Sequence, residues 1–132
     1  MPTRLPIIAF ATVLLALSPA AMAADGEAVA TGKFTGQSGH KTTGGVAVHK
    51  TADGYTVELG ADFNHDGAPD PKLGFGRGGY DAAAKFSPLR ANTGAQSYGI
   101  PAAIDAGAYT EVWVWCEKYN VPLGVAKLKP AQ

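Results

Sequence analysis

Residues 45–60 read GVAVHKTADGYTVELG, two runs of alternating apolar and polar side chains around Asp53-Gly54. No other feature constrains the fold of this chain as much. A period of two puts successive side chains on opposite faces of a strand. Asp-Gly is the residue pair that a tight hairpin turn favours, because its backbone angles are positive there. With a loop of two or four residues, Val46 and Val48 fall on the same face as Val57 and Leu59. The pairing is therefore predicted whichever register is used. His49 lies on the other face, across from Glu58 or Thr56, and reads as solvated.

The same short-strand pattern continues along the chain. Residues 29–35 predict a first strand and 36–43 (GQSGHKTT) a loop. Residues 62–72 (DFNHDGAPDPK) form a polar loop with two prolines, 72–76 (KLGFG) a short strand, and 76–81 a glycine-rich segment. Residues 82–86 suit one helical turn, and 87–106 read as irregular. Residues 109–116 form the strongest strand, and 121–128 the last. In that last strand Val121, Leu123 and Val125 share one face, while Ala126 and Leu128 share the other. Gly124 beside this change of phase marks a β-bulge. There is no sustained 3.6-residue period and no internal repeat. The fold class is all-β, an antiparallel β-sandwich or barrel-like arrangement with Gly/Pro-rich loops.

The N-terminus carries a different signal. Arg4 supplies a short positive region, residues 5–17 an apolar stretch, and SPAAMA a small-residue ending with Ala21 and Ala23 where a signal peptidase reads. The apolar run is shorter than the roughly 20 residues that span a bilayer. The expectation is a signal peptide over 1–23 and a single domain over 24–132, in a periplasmic or secreted protein. Cleavage leaves 109 residues, 10 basic against 11 acidic side chains, and no methionine. That balance disfavours nucleic acid and anionic membranes as partners, and no second apolar run is long enough to span a membrane.

The single cysteine excludes an intramolecular disulfide, the usual staple of small exported domains. It ends the stretch EVWVWCE, in which alternation puts Val112, Val114 and Cys116 on one face and Trp113 and Trp115 on the other. Two valines mark the first face as core, and free cysteine is among the most buried residue types. Cys116 is either an inert core thiol or a group open enough to react or to ligate. The tryptophans cover a second apolar layer or flank a ligand groove.

Other chemistries are weaker. Asp62-x-Asn64-x-Asp66-Gly67 matches the first half of an EF-hand loop. Leu73 stands where a bidentate Glu is needed, and Pro69 and Pro71 disturb the loop, so calcium is disfavoured against an ordinary Asx/Gly turn. His65 reads as exposed, and His40 sits in a Gly-rich loop. Blue copper is excluded, because the mature chain has no Met and no His follows Cys116. No C-x-x-C-H attaches haem, though a thiolate can hold haem iron axially, with His40 the one distinctive partner. Gly74-x-Gly76-x-Gly78-Gly79 leads into no helix pattern, so the phosphate-loop reading is weak. No hydrolase or transferase motif is present.

Several stretches together carry a resemblance. They are Gly32-x-Phe34, His40, Gly44-Gly45-Val46, Ala68-Pro69-Asp70, Gly94-x-Gln96-x-Tyr98-x-Ile100-Pro101 and Trp115-Cys116-x2-Tyr119-x-Val121-x-Leu123-Gly124. In this order they resemble the DM13 domain, a small extracellular or periplasmic β-sandwich module. One departure is the glycine-rich Pro71-Lys72-Leu73-Gly74-Phe75-Gly76. The resemblance implies an electron-transfer role centred on Cys116, as a bare thiol or as ligand to a prosthetic group such as haem. His40, Asp70, Tyr98 and Trp115 are the candidate binding residues around it. The partner would be a redox protein or a cell-surface protein. The alternative from a different class is a non-redox binding or adhesion module with a structural cysteine.

Overall fold

A computed structural model describes residues 26–131, together with Thr3. The expected signal peptide and its cleavage site lie outside the described residues. The described residues form eleven strands: β1 (Glu27–Gly36), β2 (Thr42–Thr43), β3 (Gly45–Thr51), β4 (Gly54–Leu59), β5 (Asn64–His65), β6 (Pro71–Gly76), β7 (Tyr80–Pro88), β8 (Gln96–Gly99), β9 (Glu111–Cys116), β10 (Val121–Lys127) and β11 (Lys129–Pro130). Eight of them make one antiparallel, nearly closed, barrel-like sheet in the order β7-β6-β9-β10-β1-β3-β4-β8. β11 pairs with β1, and β2 with β5 in a small separate ladder.

The long β1 joins the two halves of the barrel. Its N-terminal part pairs with β3 and its end with β10, Phe34 standing opposite Ala126. The hairpin forms as its alternation demands, with Val46 opposite Leu59 and Val48 opposite Val57. These four side chains join Phe34, Phe63, Leu73, Phe75, Tyr98, Val112, Val114 and Leu123 in one core. Each such side chain contributes about 1.5–3 kcal/mol by leaving water. The bulge also falls as the sequence marks it. Between Pro122, opposite Trp115, and Gly124, opposite Val114, Leu123 is the extra residue.

Several expectations are overturned. Residues 82–86 are not a helical turn but the middle of β7, which pairs with β6. The stretch 87–106 contains β8, which extends the sheet beyond β4. His49 is not merely solvated, because it lies 3.3 Å from Glu58. The glycine-rich 71–76 segment, the departure from the DM13 pattern, nevertheless forms a strand between β9 and β7, in unbroken register with β9.

Candidate functional site

β9 is paired on both edges, so Cys116 at its end stands between Pro71 of β6 and Val121 of β10. The residue is 1% exposed. Its thiol donates to the Pro69 carbonyl oxygen at 3.1 Å. The loop comes back over the thiol because Asp70 adopts a left-handed backbone (φ 54°), a conformation that costs a non-glycine residue energy. The Asp70 carbonyl then accepts from the Glu117 amide at 3.2 Å. Outside this backbone cover lie charges. Lys72 Nζ is 2.6 Å from Asp70 and 3.9 Å from Glu117, and Lys85 Nζ is 2.9 Å from Glu117. The hydrogen bond to Asp70 holds the Lys72 ammonium above its usual pKa. Such exposed pairs add little stability, but they rim the cover over the thiol.

The outward face of the same strand is aromatic. Trp115 stacks on Tyr80, with ring centres 4.5 Å apart and an 8° tilt, and Trp113 meets Trp115 edge-on at 6.1 Å. Trp115 Nε1 donates to Asn120 Oδ1 and Trp113 Nε1 to Glu111 Oε1. Glu111, a nearly buried acid that the sequence reading passed over, also takes the Gly79 amide at 2.9 Å. Burial, and then the charges of Glu117 and Asp81, push the Tyr80 phenol above its ordinary pKa.

Of the candidate binding residues, Asp70 and Trp115 accompany Cys116, while Tyr98 and His40 lie elsewhere. Tyr98 is buried on β8. Its hydroxyl accepts from the Arg90 amide and donates to Gln96, and the Arg90 guanidinium covers its ring at 4.1 Å. His40 belongs to a second cluster. Its Nδ1 lies 2.9 Å from Asp66 Oδ1, and the Lys41 amide donates to Asp66 Oδ2. Those two bonds, the backbone one first, hold the Asp66 carboxyl below its usual pKa.

His65, expected to be exposed, is buried beside this pair. The pairing of β5 with β2 turns its ring inward, where Nδ1 meets Thr42 Oγ1 at 3.0 Å. Burial lowers its pKa, with Asp66 opposing. The members of the EF-hand-like pattern serve different neighbours. Asp62 accepts from the Gly45 amide, Asn64 stands opposite Thr43 in β5, and Asp66 binds His40 and Lys41.

Haem ligation by Cys116 does not fit this arrangement. Two surface depressions among the described residues are lined by residues such as Thr31, Lys33, Glu58 and Lys127 in one and Arg77, Tyr80, Asp81 and Tyr109 in the other. Cys116 lines neither, and its sulfur is capped by a carbonyl.

An antiparallel barrel with one thiol closed in at a strand end is a small one-cysteine β module. The family model described as Electron transfer DM13 matches residues 33–128, and the chain belongs to that DM13 family. No curated protein and no solved structure matches it.

Proposed function

We propose that the protein is an exported electron-transfer module and that Cys116 is its redox group, acting as a shielded thiol rather than as a haem ligand. The observation that carries this reading is the hydrogen bond from Cys116 to Pro69. A cysteine kept only for packing needs no polar partner. This one is capped by the Pro69–Asp70 segment that leads into β6. The reaction class is thiol–disulfide exchange with a partner protein. The Cys116 thiolate attacks one sulfur of a partner disulfide, so that a mixed disulfide forms as the partner's S–S bond breaks. The thiol proton leaves with the departing thiolate. The secretory leader read in residues 1–23 supports an oxidising compartment where such partners occur.

The test is incubation of native protein with an aromatic disulfide, read by mass spectrometry. A mixed disulfide forming on Cys116 without denaturant is expected. Modification seen only after unfolding would sink the proposal. It would leave the second reading, a non-redox binding module, which the near-complete burial of Cys116 favours.

A further inference from the structure

We propose that His40, His65 and Asp66 form a binding site for a divalent transition-metal ion, copper(II) or zinc(II), independent of Cys116. One donor atom from each side chain lies within 4.8 Å of the others. Asp66 Oδ1 is the hub, 2.9 Å from His40 Nδ1 and 3.7 Å from His65 Nδ1. Donors bound to one ion at about 2.0–2.2 Å stand roughly 3–4 Å from each other; His40 Nδ1 and Asp66 Oδ1 already stand near that spacing, and the His65 imidazole lies beside them.

His65 supplies an observation that the ion pair alone does not explain. Its side chain is fully buried, and its Nε2 has no hydrogen-bond partner among the described residues. The Thr42 hydroxyl gives its proton to the Leu123 carbonyl at 2.9 Å. Toward His65, then, Thr42 can only accept, which places the imidazole proton on Nδ1 and leaves Nε2 a bare lone pair. A histidine whose one nitrogen is tied to a supporting group while the other lone pair stays free is the usual form of a metal ligand. Elsewhere an unpaired buried nitrogen is a cost that a fold avoids.

The frame around the cluster is rigid. The Asp66 amide donates to the Lys41 carbonyl at 3.0 Å, and the Lys41 amide donates back to the Asp66 carboxylate. Thr42 pairs with His65 in the β2–β5 ladder. His40 and Asp66 are partly exposed, with side-chain accessibilities of 31% and 38%, so an ion can enter from solvent and keep a water ligand. Two imidazoles and one carboxylate select copper or zinc over calcium, which takes oxygen donors.

The experiment is titration of the purified chain with Cu(II), and separately with Zn(II), by calorimetry, with electron paramagnetic resonance of the copper form. One equivalent with imidazole nitrogen coupling is expected. His40→Ala and Asp66→Asn, both at partly exposed positions, should each weaken binding at least tenfold, and His49→Ala should leave it unchanged. Wild-type affinity in both cluster variants, sensitivity to His49→Ala instead, or no binding to the native chain would overturn the proposal.

Discussion

A buried thiol that donates to a carbonyl is held differently from one packed among methyl groups, and substitution at Cys116 separates the two cases. Cys116→Ala removes the donor and leaves the Pro69 oxygen unpartnered under its loop, a loss of about 1–3 kcal/mol. Cys116→Ser keeps a donor of similar shape, so it should cost less than the alanine variant. Urea midpoints of the three proteins check this order, and the reverse order would mean that the hydrogen bond contributes nothing. Across the strand, Tyr80 gives a pH prediction. Burial and two nearby carboxylates raise its folded pKa above the unfolded value near 10. The stability it contributes is therefore complete below about pH 10 and is lost as pH rises through the folded value. Urea midpoints should fall across that alkaline window. The fall should be smaller in Tyr80→Phe, and an equal fall in both would remove Tyr80 as its source.

Single strands were legible where one face is buried and the alternation is unbroken. The β3–β4 hairpin is such a case, and so is β9, whose valines and cysteine point inward and whose tryptophans point out. β7 was not legible. It is an edge strand with Ala82 and Ala83 exposed, and two register shifts against β6 break its period. An alanine-rich run without alternation therefore looked helical. β5 has only two residues, too few to show any period, so nothing local announced that His65 turns inward. The cover over Cys116 depends on Pro69, 47 residues earlier, and a contact at that separation leaves no trace in the strand itself. The bulge in β10 was readable from Gly124, and it has a consequence. A Cβ at this position would lie 2.6 Å from Thr42 Cβ, so Gly124→Ala must push Thr42 off both the Leu123 carbonyl and His65. A destabilisation of about 1–3 kcal/mol is expected from the overpacking, with a shifted His65 ring resonance. An unchanged resonance would show that Thr42 does not hold that ring.

The barrel as a whole is nearly closed rather than closed, because among the described residues no strand pairing joins β7 to β8. Side chains span the gap instead. Phe86 meets Tyr98 edge-on at 6.1 Å, and the Tyr98 hydroxyl accepts the Arg90 amide. Tyr98→Phe orphans that amide, so a loss of about 1–2 kcal/mol is expected. Hydrogen exchange should accelerate first in β8, an edge strand, and last in β9, which is paired on both sides. This gradient of local stability bears on the redox reading. Cys116 lies in the doubly paired interior, so opening the strands to reach it would cost nearly the full stability of the domain. Lifting residues 68–70 alone costs the Pro69 and Asp70 contacts and the packing of Ala68 against the core, leaves Asp66 on Lys41, and relieves the left-handed Asp70 backbone. Native-state labelling of Cys116 should therefore proceed by local opening, at a rate nearly independent of low urea concentrations. Asp70→Ala, which loses the Lys72 pair but keeps the unfavourable φ, should raise that rate several-fold without changing its urea dependence. Labelling that instead tracks global unfolding, with the full denaturant slope and no response to Asp70→Ala, would make Cys116 a core residue and remove the basis for exchange chemistry.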